Sequence, residues 1–146
     1  MLARPGDVEP GTFALAEAAR QSAAADYARS LVTIHAVGRQ VARFFETFDV
    51  LLTPTLASPP LELGRLALTN PDFQGLAEDI GATIGFTQLF NAAGNPAMSV
   101  PLHWNAAGLP VGVQFAGRFG DEATLFRLAG QLEAARPWFD RRPALD

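Results

Sequence analysis

Between Tyr27 and Phe48 apolar positions recur at alternating steps of four and three: Tyr27, Leu31, Ile34, Gly38, Val41, Phe45 and Phe48. That spacing lines one stripe of a long core-facing helix and leaves Arg29, Arg39, Arg43 and Glu46 off it. Next comes Asp49-Val-Leu-Leu-Thr53, an almost wholly apolar run that predicts a short strand buried on both faces and stopped by Pro54. Residues 56–79 are broken by Pro59, Pro60, Gly64, Pro71 and Gly75, with apolar Leu61, Leu63, Leu66 and Phe73 between them, and read as a surface crossing or a lid. A helix is predicted from Ile80 to Ala93, ended by Gly94-Asn95-Pro96. Strict alternation then sets Met98, Val100, Leu102 and Trp104 against Ala97, Ser99, Pro101 and His103, which is the period of a strand. Asn105-Ala-Ala-Gly108 supplies turn residues, and Val111, Val113 and Phe115 alternate on the return. Pro101 and Pro110 lack a ladder donor, so they belong at strand ends or on an edge strand. The last helix starts at Gly120-Asp121 with Asp121 as its N-cap, and carries Leu125, Leu128, Ala129 and Leu132 on its apolar face.

Strands near 49–53, 97–104 and 111–116, flanked by a long helix and a C-terminal helix, give an α/β fold class. Residues 1–11, with two prolines and two glycines, read as a linker or frayed end, and residues 12–146 as a single domain. A length of 146 residues suits one domain, and 49% apolar with 18% charged residues excludes disorder as the main state. No apolar run is long enough to cross a bilayer, so no membrane partner is expected. The opening MLARPGDVEPG lacks the apolar core of a secretory signal, which points to the cytoplasm. A net charge of −4 argues against a nucleic-acid partner.

Composition also limits the chemistry. Cysteine is absent, which removes disulfides, thiol catalysis and thiolate metal sites. Every basic residue is arginine, so Schiff-base, P-loop and Ser–Lys machinery cannot be complete within these residues. His35 and His103 stand alone, without the neighbouring ligands a zinc site needs, so no metal is expected. Ser99, in Ala-Met-Ser-Val-Pro, lacks the glycines of a nucleophile elbow and reads as a small strand residue. No glycine-rich loop joins a strand to a helix to hold phosphate, and no cofactor is expected. The residues by themselves show no complete catalytic set.

Three segments in order, Asp49-Val-Leu-Leu-Thr-Pro-Thr55, Phe90-Asn-Ala-Ala-Gly-Asn-Pro-Ala-Met-Ser-Val-Pro101 and Gly108-Leu-Pro-Val-Gly-Val-Gln-Phe115, resemble the carboxy-terminal portion of the amidase signature family. The stretch Phe119–Trp138 looks most like its 6-aminohexanoate-cyclic-dimer hydrolase branch. The resemblance implies a mixed sheet flanked by helices, and hydrolysis of a linear or cyclic amide by a Ser-Ser-Lys set in the complete enzyme. That set has no counterpart here, so no catalytic residue is assigned and the chain is expected to be inactive alone. In similar enzymes the segment before Asn-x-x-Gly-x-Pro walls the acyl channel. On that likeness Thr87 and Asn91 face substrate, with Phe86 or Phe90 behind them. The alternative, Thr87 on a helix surface and Asn91 as a cap, stays open on the sequence alone. Glutamine-using relatives place an acidic residue just before that threonine; here Ile84-Gly85-Phe86 favours an apolar or linear amide. Strands without neighbours leave unpaired edges, so a homodimer is expected. Two further readings are a non-catalytic subunit complemented by a chain bearing the lysine and serine, and a hydrolase built on Ser99 with a histidine.

Overall fold

A computed structural model describes residues 4–70 and 72–142. Residues 1–3, 143–146 and Pro71 lie outside them, and with these the outer ends of the predicted linker and domain and one predicted loop breaker. Along the chain the elements are α1 (Pro10–Ala19), α2 (Ala24–Phe44), β1 (Val50–Pro54), α3 (Phe73–Thr83), α4 (Gln88–Ala93), β2 (Ala97–Trp104), β3 (Pro110–Gly117) and α5 (Glu122–Ala135).

The hairpin forms where the alternation puts it. β3 lies in the middle, in the order β1-β3-β2, and both pairings within these residues are antiparallel. Pro110 opens β3, while Pro101 sits on the edge strand β2 at a break in register between Val100 and His103. Both prolines thus occupy places where a missing N–H is tolerated.

Two apolar clusters cover the two faces of the sheet, making three layers. On one face Phe45, Phe90 and Ala116 pack with Val41 and Leu51, which brings α2 and α4 onto the sheet. On the other, Val100, Phe115 and Leu125 gather Val113, Leu128, Leu132 and Trp138 beneath α5. The Arg118 guanidinium, just past β3, donates to the Phe45 carbonyl at 2.9 and 3.3 Å and ties the end of the sheet to the end of α2. Asn95 Nδ2 donates to the Gly117 carbonyl at 2.8 Å on the same edge.

Several expectations change. The helix predicted over 80–93 is two helices. α3 begins seven residues earlier, at Phe73, because the Asp72 carboxylate accepts from the Gly75 N–H at 3.0 Å and caps it. Gly75 is part of that cap rather than a break, since a Cβ there would collide with the Asp72 carboxylate. α3 then stops at Thr83, and residues 84–87 turn the chain before α4. The strand predicted over 49–53 runs over Val50–Pro54 and is an edge strand among the described residues, where Leu52 is 60% exposed and the run is not buried on both sides. α1 starts at Pro10, two residues before the compositional shift, with proline in its first turn and the Gly11 N–H donating to the Leu68 carbonyl at 2.8 Å. The long stripe is core only at its C-terminal end. Phe45 is 1% exposed, whereas Tyr27 is 67% exposed, because nothing among the described residues packs against the first two turns of α2.

Candidate functional site

The face of the sheet beneath α2 and α4 changes character along the strands. Directly paired residues send their side chains to the same face. Leu51 and Ala116 pack under Phe45 and Phe90 with exposed Ala97 in register beside them, and the next row is Thr53, Gln114 and Ser99. Beyond it the Thr55 N–H donates to the Gly112 carbonyl at 3.0 Å, extending the ladder by one polar position. Four neutral polar side chains therefore share one end of a face that is otherwise apolar.

Hydrogen bonds fix their arrangement. Gln114 is 4% exposed, and its Nε2 donates to Thr53 Oγ1 at 3.0 Å and to the Phe86 carbonyl at 3.1 Å. A backbone carbonyl only accepts, so the amide nitrogen must face Phe86 and Oε1 is the atom left over. Ser99 Oγ and Thr55 Oγ1 lie 2.6 Å apart. Gly112 is what lets them meet: a Cβ there would stand 2.7 Å from each oxygen. Across Gly112 opens a cleft of about 270 Å³ whose walls include Leu56, Pro59, Pro60, Asn105 and Val111.

The turn between α3 and α4 lies over this polar end. Phe86 is 39% exposed and its carbonyl is held by Gln114. Thr87 is half-buried, and its hydroxyl donates to the Ile84 carbonyl at 3.1 Å, within the turn. Phe90 is 4% exposed and belongs to the core beneath α4. Asn91 is exposed on α4 and is not its cap, a place taken by Gly94 in a left-handed conformation. The structure thus ties Phe86 to the polar row through its carbonyl, keeps the Thr87 hydroxyl within the turn, buries Phe90 in the core and leaves Asn91 exposed.

Electrostatics are concentrated elsewhere. Arg65 grips Asp79 through two bonds of 2.7 and 2.8 Å, clamping the irregular 61–68 segment to α3. That contact holds the Asp79 carboxyl below its usual range and raises Arg65. The row of Thr53, Thr55, Ser99 and Gln114 has no ionisable member. It can bind and orient a neutral polar group, but it holds no base to activate a nucleophile. Ser99 in particular is bonded to a threonine and not to a histidine. Among the described residues no cluster of His, Cys, Asp and Glu could hold a metal ion. No helix there is long and apolar enough to cross a membrane.

Sequence reasoning missed Gln114, Thr53 and Thr55 as site residues and took Ser99 for a small strand residue. One signal was present: in β1 and β3, Thr53 and Gln114 interrupt strands whose other members are apolar or glycine. A buried polar residue in such a run needs partners.

Comparison with known proteins gives a consistent result. The amidase family profile matches residues 9–126. AmiC of Mycobacterium leprae is 43% identical over 75% of this chain and 23% of its own length. The 6-aminohexanoate-cyclic-dimer hydrolase of Pseudomonas sp. (strain NK87) is 32% identical over 99% of this chain and 31% of its own length. The solved structure of a 6-aminohexanoate cyclic dimer hydrolase superposes with a TM-score of 0.84 at 32% identity, over 97% of this chain and 30% of that one. The chain therefore spans 23–31% of the length of these relatives. With its three-layer α/β architecture and the family profile over most of its length, this chain belongs to the amidase family.

Proposed function

We propose that these residues form the carboxy-terminal, channel-wall portion of a carboxamide hydrolase, with the attacking and proton-transferring groups supplied from outside them. The observation that carries this reading is the Gln114 clamp on the Phe86 carbonyl. It fixes the α3–α4 turn, which carries Thr87, beside a polar row that adjoins an apolar cleft at Gly112, an arrangement that suits orientation of an amide with an aliphatic body. Thr87 and Asn91 face the channel in the assembled enzyme, and Phe86 and Phe90 back them. Apolar Ile84 before the turn favours linear or cyclic aliphatic amides over glutamine, in keeping with the cyclic-dimer hydrolases among the relatives. The working compartment is the cytoplasm, and no cofactor takes part.

Two measurements test the reading. The purified chain incubated with hexanamide should release no ammonia, because a row without a base or a lysine cannot complete the reaction; turnover above a buffer blank overturns this part. In a full-length amidase carrying the same turn, Ile84→Asp should lower turnover of aliphatic amides by at least about tenfold, the effect of placing a charge against an apolar substrate. Unchanged turnover removes the channel-wall assignment. The second reading, a subunit complemented by another polypeptide, is favoured by the bare first turns of α2. It predicts activity on mixing with a chain that carries the lysine and serines.

A further inference from the structure

We infer that Gln114 and the Ser99–Thr55 hydroxyl pair form a binding row for a neutral carboxamide, with its carbon chain in the cleft beyond Gly112; this rests on the channel-wall reading above. Three features lead there. Both Gln114 donors are spent, on Thr53 and on Phe86. Its Oε1 accepts no hydrogen bond among the described residues. Trp104 Nε1 is the one fully buried side-chain nitrogen or oxygen left without a partner there, so Oε1 keeps some contact with the space outside the protein. A side chain that is otherwise buried, with one acceptor held in a fixed direction, is prepared for an N–H.

The hydroxyl pair supplies the complementary half. Two hydroxyls carry two protons, and one lies between Ser99 Oγ and Thr55 Oγ1. The other is free to be donated to a carbonyl oxygen. Ser99 and Gln114 are direct cross-strand partners, which sets their Cβ atoms about 5 Å apart on one face. On one face the row thus offers one donor and one acceptor, the complement of the carbonyl oxygen and the N–H of an amide. Carboxylates fit worse, because Oε1 would face another acceptor, and ammonium groups find no anion in the row. Thr55 leads directly into Leu56, and Gly112 is common to the row and the cleft, so Leu56, Pro59, Pro60 and Val111 continue the site with apolar surface.

Titration of the ¹⁵N-labelled chain with hexanamide tests this, read at the Gln114 side-chain amide and at the Phe86 and Thr87 backbone signals. Hexanamide should shift these signals. N,N-dimethylhexanamide, which offers no N–H, and the Ser99→Ala variant should each bind about three- to tenfold more weakly, the effect of one lost hydrogen bond. Thr87→Val, which leaves the row intact, tests the wall separately. Should hexanamide binding be weakened by Thr87→Val but indifferent to dimethylation and to Ser99→Ala, the row is overturned while the wall stands. An absence of binding, or binding indifferent to all three changes, overturns both. If Ser99→Ala does not fold, as judged by its melting curve, the comparison of the two amides on the unaltered chain decides alone.

Discussion

At Gly112, one missing carbon allows two hydroxyls to share a proton. Gly112→Ala would drive a methyl group to within 2.7 Å of both Ser99 Oγ and Thr55 Oγ1, so the pair must separate or the strand must shift. Overpacking of this kind is expected to destabilise by about 1–3 kcal/mol, measured as a lower denaturant midpoint at unchanged m-value. A midpoint equal to that of the parent chain would show that the hydroxyls can move apart freely. Gln114→Leu tests the clamp in the same assay. It keeps the bulk but strips the donors from Thr53 and from the buried side of Phe86, and a loss of about 1–3 kcal/mol is expected from the unsatisfied groups. The loss should come with faster amide exchange over residues 84–87, because the bond to Phe86 is what joins that turn to the sheet. Equal exchange in both proteins would show that the turn holds itself.

Caps and breaks decide the elements. α5 begins where the Asp121 carboxylate accepts from the Thr124 hydroxyl at 2.7 Å and from its N–H at 3.3 Å. The hydroxyl bond is the larger cause, with the backbone bond and nearby Arg127 and Arg118 adding to it, and together they hold the Asp121 carboxyl below its usual 3.8. A carboxyl lowered on folding favours the folded state above the unfolded value, and that contribution fades as pH falls through the folded value. The cap should therefore be intact at pH 7 and fail progressively below about pH 4. Asn caps helices as well as Asp but does not titrate. Asp121→Asn should consequently match the parent melting temperature at pH 7 and lose less of it on acidification to pH 3. Parallel acid limbs for the two proteins would assign that limb to other carboxylates. α3 and α4 make the complementary point: a single apolar pattern from Ile80 to Ala93 is compatible with one helix, and it is split where Gln114, more than twenty residues away, takes the Phe86 carbonyl.

Taken whole, the molecule leaves much apolar surface uncovered. Tyr27, Leu31 and Ile34 line the outer part of α2, Leu52 stands on edge strand β1 at 60% exposure, and Phe126 on α5 is 77% exposed. β1 and β2 each leave one side without a partner strand among the described residues. Surfaces of this extent mark contacts with other protein. We propose that the chain by itself forms a homodimer through them. Light scattering should give twice the monomer mass, and Leu52→Lys, which places a charge on an edge, should shift the distribution toward monomer without lowering the melting temperature. A monodisperse monomer that binds no hydrophobic dye would count against association.

Short-range patterns were enough to find much of this protein. The hairpin over 97–117, the Asp121 cap, the long helix and the family likeness all follow from alternation, capping chemistry and residue order, which act between residues a few positions apart. What the sequence could not supply was partnership between distant positions. Thr55 and Ser99 meet only because β1 and β2 both flank β3, the burial of Gln114 acquires its meaning from a carbonyl on another element, and an apolar strand proves to be an edge. Local propensity is summed over neighbours along the chain, whereas burial and hydrogen-bond partners are set by which segments the fold brings together, and only the tertiary structure decides that.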